Sequence, residues 1–401
     1  MSTAAPPRSE HTVAGRGQGL DRGQVRAVAA CYFVASFAAL GLPPYLTAIL
    51  PGLGDRDGHW AGLLYVLPTV FSALGAPLWG RLADRFGRKR LLLRAQLGLS
   101  VSFLLAGAAD SLPAFTAALV LQGFLGGTFA ASNGYLAAAL EGPRLSGALT
   151  LMQGSARASL VAAPILVGAL SPWIDPHRQY LLMAALPLAA AALLARMPEP
   201  CRPVPGAAPA GHTPRERGDG PLRLLYALEF VFVFSTIVSF PYLIALIGQR
   251  LPGLSATVAG LLFALPHLCY LLLAARVHHP VVGRPRPGIG LGLAVVALGL
   301  AGHAAADSLA AFVVVRLVFG AGLTLGLVSL SVLAAEAAHG RAPGRMFGTV
   351  EFFSKSGAVA AGAVAALVAG RYGASATMLT GTAAALAAAT ALLLSRTRRR
   401  Q

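Results

Sequence analysis

The stretch G-R-L-A-D-R-F-G-R-K-R, from Gly80 to Arg90, lies between two long apolar runs at about 59–80 and 91–109. Each run is long enough to cross a hydrocarbon core of about 30 Å as a helix, in which every backbone polar group finds a partner without water. The loop between them gathers basic residues around one acid, Asp84. The stretch therefore predicts a membrane hairpin with a charged turn.

The composition of the whole chain agrees with a lipid environment. Of the 401 residues, 56% are hydrophobic and 12% are charged, against about 25% charged residues in soluble domains. This excludes a soluble enzyme and a disordered chain. The net charge of +17 arises from basic residues between apolar runs, so it indicates membrane topology and not a nucleic-acid partner. Cys31, Cys201 and Cys269 lack the spacing of a disulfide framework or a metal site, and we expect no cofactor.

Apolar runs of this kind recur along the chain and predict an all-α integral membrane protein with twelve transmembrane helices. The runs lie near 27–50, 59–80, 91–109, 112–140, 147–171, 179–196, 222–248, 256–276, 288–306, 309–335, 346–369 and 375–395.

The distribution of Lys and Arg predicts that both termini are cytoplasmic, because short cytoplasmic loops retain basic residues. On this assignment, the basic residues in loops on the opposite side are Arg56, Arg178, Arg250 and Arg371. The predicted organisation divides the chain into five parts. They are a cytoplasmic tail (1–26), a six-helix bundle (27–196), a cytoplasmic linker rich in Pro, Gly and charge (197–221), a second six-helix bundle (222–395) and a short cytoplasmic tail (396–401).

The two predicted bundles repeat each other in sequence. P-Y-L-T-A-I-L from Pro44 matches P-Y-L-I-A-L-I from Pro241, and A-G-L-L-Y-V-L-P from Ala61 matches A-G-L-L-F-A-L-P from Ala259. A repeat with an even number of helices relates the halves by an axis along the membrane normal. The repeat therefore predicts pseudo-symmetric bundles with a central cavity between them.

The charged turn resembles the cytoplasmic signature of the major facilitator superfamily, G-x-L-a-D-r-x-G-r-k-x. The matching positions are Gly80, Leu82, Ala83, Asp84, Arg85, Gly87, Arg88 and Lys89. The resemblance implies a secondary transporter that works by alternating access, as a monomer, in the inner membrane of a bacterial cell. Its partners would be a small-molecule substrate, protons and the lipid bilayer.

The resemblance also implies a conformational gate made of Gly80, Asp84, Arg85, Gly87, Arg88, Lys89 and Glu141. Gly80 permits a close helix approach and Gly87 a tight turn. Asp84 would accept hydrogen bonds from amides at the start of helix 11, near Arg345, and Arg88 would face Glu141 at the end of helix 4.

Ionisable groups inside spans are costly, so each is a candidate for the proton or substrate cavity. These are Arg157, Glu229, Arg316, Glu351 and Lys355, and the polar candidates on helix 4 are Gln122 and Asn133. Glu351 and Lys355 are four residues apart and could equally form a structural pair on one face. At the repeat offset, Arg157 corresponds to Lys355, which favours placement in the cavity.

Glu229 is a candidate proton carrier because its helical neighbours are aromatic, which disfavours the charged carboxylate. A static bridge to Arg316 or Lys355, or a shallow position near water, would explain it as well. Arg316 begins R-L-V-F-G-A-G, which resembles a motif that the family normally carries on helix 4, where this chain has Leu119. A position nearer the outer interface, with the guanidinium reaching to water, is the alternative for Arg316.

Helix 5 contains S-L-V-A-A-P-I-L-V-G, which is similar to the antiporter motif of the family. The candidate residues are Ser159, Ala163, Pro164 and Gly168, although Ala163 and Val167 replace glycines. The partial match favours export over uptake. We expect His267, beside Pro266 in helix 8, to be structural.

These observations predict proton-coupled export of a small organic molecule. The chain has no phosphate-binding loop and no motif of a membrane enzyme, so we expect neither ATP use nor enzymatic activity. The overall run resembles exporters of siderophores such as alcaligin, which makes a siderophore the narrower expectation. The alternatives are multidrug efflux by proton antiport, uptake of an organic anion and, more distantly, a receptor without transport.

Overall fold

The computed structural model describes residues 20–56, 60–199, 220–254 and 256–397, and the regular structure within these ranges is helical. Most of the predicted terminal tails and linker, with Cys201, lies outside them. The long helices are α1 (Arg22–Gly41), α2 (Ala61–Phe86), α3 (Arg88–Gly107), α4 in two halves (Leu112–Leu125 and Thr128–Ala139), α5 (Gly142–Leu170), α6 (Pro176–Ala195), α7 (Gly220–Ile237), α8 (Ala256–Val281), α9 (Pro285–Ala305), α10 (Leu309–Ala338), α11 (Pro343–Tyr372) and α12 (Ala374–Thr397).

The helices are long and apolar as the sequence predicts. In the described ranges, eleven stretches are long and apolar enough to cross a membrane. The remaining long helix, α5, has 29 residues and packs against α1, α8 and α10. The all-α membrane fold predicted from the sequence is therefore confirmed.

The sequence prediction was wrong where it treated three runs as unbroken helices. The run 27–50 ends its first helix at Gly41, because consecutive prolines at Pro43 and Pro44 remove amide donors, and a 3₁₀ turn follows at Pro43–Tyr45 before the short helix Leu46–Ile49. The run 222–248 breaks in the same way, at a 3₁₀ turn over Phe240–Tyr242, and continues as the short helix Leu243–Arg250.

The third interruption divides α4. Gly126 leaves helical geometry and Gly127 takes a left-handed conformation with φ of 57°, which glycine adopts without steric cost. The break interrupts the backbone hydrogen bonds in the middle of a candidate membrane span. It therefore leaves carbonyl groups that need partners from elsewhere.

The helices form two groups that correspond to the predicted bundles. Within the first, α1 packs on α5 and α6, and α3 packs on α4 and α6; within the second, α10 packs on α8 and α9, and α7 and α9 pack on α12. The groups meet where α11 crosses α2 and the second half of α4, and where α5 crosses α8 and α10.

Matched close contacts confirm the internal repeat. In the first bundle, a Cβ atom on Gly123 of α4 would overlap the backbone of Pro68 in α2. In the second bundle, a Cβ atom on Gly320 of α10 would come within 2.9 Å of the backbone of Pro266 in α8. The two pairs are related by the offset seen in the sequence repeat, so the same helix crossing is built twice.

We expect Gly123→Val to destabilise the protein, because the added methyl groups would collide with the backbone of Pro68. Overpacking of this kind costs about 1–3 kcal/mol. Gly260→Val in α8 is the matched control, since a Cβ atom there has no neighbour within 4 Å. Thermal unfolding of the purified chain in detergent measures both; an equal Tm for the two variants would contradict the close contact.

Candidate functional site

The carboxylate of Asp84 caps the start of α11, which belongs to the other bundle. Its Oδ1 accepts a hydrogen bond from the amide of Gly344 at 3.0 Å, and its Oδ2 accepts one from the amide of Arg345 at 2.6 Å. The residue before α11 is Ala342, whose side chain has no oxygen to cap the helix. The contact predicted for Asp84 is present. Through it, a side chain of the first bundle caps α11, whose own preceding residue provides no cap.

Glycines let α2 and α11 approach at the same place. A Cβ atom on Gly80 would overlap the carbonyl oxygen of Gly344, and one on Gly348 would lie 2.5 Å from the carbonyl oxygen of Ala76. The turn at Gly87 has φ of 104°, as expected of a glycine there. The two bundles are thus in backbone contact beside the charged turn.

The charged side chains of the turn mostly bind their own bundle. Arg88 pairs with Asp84 at 3.2 Å, so the predicted contact between Arg88 and Glu141 is wrong; Glu141 instead lies 3.4 Å from His339, and both are exposed. The i,i+4 spacing places Arg88 next to Asp84 on one side of the turn, and this satisfies the acid locally. Lys89 donates to the carbonyls of Ala195 and Met197 at the end of α6, and Arg85 is exposed with its guanidinium over the ring of Phe86.

A second pair of contacts joins the bundles between α5 and α8. The hydroxyl of Tyr270 donates to the carbonyl of Thr150 at 2.9 Å, and Ser146 Oγ lies 2.8 Å from His278 Nε2. Sequence analysis missed this connection because hydroxyl residues are common in membrane helices. Together with Asp84, it joins the two bundles on the predicted cytoplasmic side of the molecule.

A cavity of about 180 Å³ lies where α5 meets the second bundle. Four basic side chains line it, and they are Arg157, His267, Arg316 and Lys355. Phe232, Phe240 and Phe319 form aromatic walls. No Asp or Glu is among the described residues of this lining, so the cavity presents positive charge and aromatic surface.

Two of the basic groups in the cavity have unused hydrogen-bonding atoms. Arg157 donates from Nη2 to Gln153 at 3.4 Å, but its buried Nε has no partner among the described residues. His267 is 3% exposed, and neither of its ring nitrogens has a partner there. The expectation that His267 serves a structural role does not explain two unsatisfied buried nitrogens.

Glu351 and Lys355 form the predicted pair on one face of α11. Lys355 Nζ lies 3.7 Å from Glu351 Oε1, and Glu351 is 4% exposed. Glu229, on α7, is half-buried and follows Tyr226 by three residues, and the ring of Tyr226 stacks on that of Phe353. Within the described ranges, neither Arg316 nor Lys355 forms an ion pair with Glu229, which leaves the static-bridge alternative without support.

Arg316 repairs the helix that Pro266 interrupts. The ring nitrogen of Pro266 cannot donate to the carbonyl of Leu262. Arg316 supplies the missing donor, from Nε to the carbonyl of Leu262 at 2.8 Å, and its Nη2 also donates to the carbonyl of Phe263 at 2.7 Å. With 3% exposure it does not reach an interface, so the alternative of an outer, water-exposed position is wrong.

The break in α4 is repaired in the same manner, by residues that sequence analysis did not single out. Arg94 Nη1 donates to the carbonyl of Leu125 at 2.8 Å, and Trp79 Nε1 donates to that of Phe124 at 2.7 Å. The guanidinium of Arg94 lies 3.6 Å from the ring centroid of Trp79. The Gly126-Gly127 pair was the available signal for this break.

The other predicted site residues lie away from the cavity lining. Gln122 and Asn133 on α4 are buried, and their side-chain oxygens have no partner among the described residues. In α5, Ser159 donates to the carbonyl of Phe33, Ala163 packs against Gly41, and Gly168 is close to the hydroxyl of Tyr45.

The antiporter-like stretch therefore forms the contact between α5 and α1. The side chain of Pro164 lies outside the part of the chain that the structure describes. The role assigned to this stretch stays a prediction.

A second, larger cavity of about 700 Å³ lies between α1, α5 and α8. Its walls are mostly small or apolar, with Phe33, Leu151 and Leu271 among them, and Arg26, His278 and His279 lie at its predicted cytoplasmic end. Leu151 and Leu271 are exposed, so the cavity is open at the side of the helix bundle.

We expect Asp84→Asn to weaken the cap on α11, because the amide retains only one acceptor oxygen and loses the charge. Hydrogen exchange at Gly344 and Arg345 should become about tenfold faster. Asp110→Asn, in the exposed turn before α4, is the control. Unchanged exchange in the Asp84 variant would show that the cap does not depend on this carboxylate.

We expect Arg316→Met to lower the free energy of unfolding by about 2–4 kcal/mol, because two buried carbonyls lose a charged donor. Arg276→Met provides the comparison, since Arg276 is exposed and bonds to one carbonyl of its own helix. Denaturant titration of the purified chain measures both variants. Equal stabilities would mean that Leu262 and Phe263 find other partners.

Comparison with known proteins agrees with this architecture. The family model described as Major Facilitator Superfamily matches residues 28–286. Multidrug resistance protein MdtG of Serratia proteamaculans (strain 568) is 35% identical over 147 residues, which cover 35% of each chain. The Multi-drug resistance efflux pump PmrA homolog of Lactococcus lactis subsp. lactis (strain IL1403) is 31% identical over 167 residues, which cover 41% of each chain. These matches span well under half the length of those relatives, whose names do not support the siderophore-exporter subtype.

Two solved structures share the fold over most of the chain. The human organic anion transporter MFSD10 (TETRAN) superposes with a TM-score of 0.77 at 21% identity, covering 92% of this chain and 98% of that one. A bacterial homologue of the iron transporter ferroportin in an outward-facing state has a TM-score of 0.70 at 15% identity, with the same coverages. The family-model match, the repeated bundles and the charged turn lead to one conclusion: the chain belongs to the major facilitator superfamily.

Proposed function

We propose that this protein exports small amphiphilic organic molecules in exchange for protons, by alternating access. The observation that carries the proposal is the pair of bundle contacts, at Asp84 and at Tyr270, which join the bundles on the predicted cytoplasmic side of a cavity of basic and aromatic residues. Alternating access requires these contacts to break and re-form. Each consists of one or two hydrogen bonds to backbone groups, which water can replace when the bundles separate.

Multidrug efflux is the form of export that we propose, in preference to siderophore export. The relatives are named for multidrug resistance, and a cavity of about 180 Å³ suits small compounds better than a large chelate. The larger, laterally open cavity between α1, α5 and α8 offers apolar compounds a path from the membrane. The export direction, the cytoplasmic termini and the inner-membrane location belong to the same proposal.

Glu229 is the proton carrier in this proposal. It lies in a half-buried position beside aromatic rings, where a charged carboxylate is poorly solvated. Glu351 lies near enough to interact with it electrostatically, and Lys355 is already paired with Glu351. Glu229 therefore has no fixed counter-ion among the described residues, and its protonation can change during the cycle.

We expect Glu229→Gln to reduce proton-driven efflux at least tenfold, because the amide cannot carry the proton. Inverted membrane vesicles that contain the full chain, given a panel of small anionic and cationic amphiphilic dyes and energised with a pH gradient, report export as dye accumulation measured by fluorescence. Glu336→Gln, at an exposed position in α10, is the matched control and should transport normally. Normal transport by the Glu229 variant would remove its assignment. A complete lack of dye movement by the unmodified chain, across a panel of dyes, would remove the proposed export.

A further inference from the structure

The cavity between α5 and the second bundle holds polar atoms that have no partner in the protein. They are both ring nitrogens of His267 and the Nε of Arg157 among the described residues. A buried polar group without a hydrogen bond is costly, so groups left this way indicate a place for a bound water, ion or ligand. These two side chains come from different bundles and line the same cavity.

The charges around the cavity favour a negatively charged ligand. Arg316 spends two of its nitrogens on the carbonyls of Leu262 and Phe263, and Lys355 is paired with Glu351 behind the lining. Arg157 has no carboxylate partner among the described residues, and its contact with Gln153 is long. Neither Arg157 nor Arg316 therefore has a carboxylate to balance its charge among the described residues, and Arg157 also has a nitrogen free to bind an anion.

The size and walls of the cavity define the rest of the ligand. An engineered cavity of about 150 Å³ accepts benzene, so one of about 180 Å³ accepts a single aromatic ring with a small substituent. Phe232, Phe240 and Phe319 provide surfaces on which such a ring can stack.

We propose that this cavity binds a small aromatic carboxylate, about the size of benzoate, with its carboxylate on Arg157 and His267 and its ring among the phenylalanines. The inference deepens the proposed function by naming a substrate class, and it rests on that function for its biological meaning. Arg157 would give a forked, charge-assisted contact, and the His267 ring would add one N–H donor.

Binding of radiolabelled benzoate to the full chain in lipid nanodiscs tests the inference without requiring transport. We expect saturable binding of the label. Unlabelled benzoate should displace it, and benzylamine and benzyl alcohol should displace it at least tenfold less well. Arg157→Gln and His267→Leu should each weaken binding about tenfold or more, since a charge-assisted or buried hydrogen bond is lost. Arg157→Lys should retain more binding than Arg157→Gln, because it keeps the charge. Arg276→Gln, outside the cavity, should bind like the unmodified chain.

Three results would overturn the inference, and each differs from failure of the proposed export. Benzylamine binding as tightly as benzoate would show that the cavity does not select charge. Benzoate binding by the Arg157 and His267 variants that equals binding by the unmodified chain would place the ligand elsewhere. Displacement by chloride or phosphate at the same concentration as benzoate would mean that the cavity takes any small anion and not an aromatic one. Dye export that persists in any of these cases would leave the export proposal intact.

Discussion

The absence of water in the bilayer core governs how this chain is built, because every interrupted backbone must find its partners within the protein. The helices of this structure stop or bend where prolines and glycines remove or misplace hydrogen bonds. Three side chains supply a missing group from another helix: Asp84 for the amides of α11, Arg94 for the carbonyl before the α4 break, and Arg316 for the Leu262 carbonyl that Pro266 leaves free. Charges that are expensive in a membrane are thus retained where they satisfy backbone.

These three repairs differ in one respect that bears on conformational change. Arg94 and Arg316 act within a single bundle, so they hold that bundle together as a rigid body. Asp84 acts between bundles, and so does the bond from Tyr270 to Thr150. If the predicted cytoplasmic face opens, the bonds within bundles persist, whereas two amides of α11 lose their acceptor. Opening therefore breaks these hydrogen bonds, which water entering the gap can replace, and it also separates apolar side chains of the two bundles that pack in one buried cluster.

Sequence patterns predicted the features that depend on local composition. The apolar runs predicted the helices, and the charged turn predicted the contact between Asp84 and the start of α11. The prediction that Arg88 contacts Glu141 was wrong, because a closer partner, Asp84, lies four residues away on the same side of the turn. The role of Arg316 was not predictable, since the carbonyls that it meets lie more than fifty residues earlier. His267 could not be recognised from sequence, because an unsatisfied nitrogen is visible only once all its neighbours are placed.

An anionic substrate would also change the energetics of transport in a membrane with a negative interior. Moving one negative charge outward down a potential of 100 mV yields about 2.3 kcal/mol, and a proton entering in exchange yields the same again. Export of an anion against a proton is thus driven twice by the potential, whereas uptake of the same anion works against it. Glu229 is not part of the lining that contains Arg157, so the proposed anion and proton sites would be separate. If the proposed anion binds in this cavity, the membrane potential therefore favours its export against a proton over its uptake.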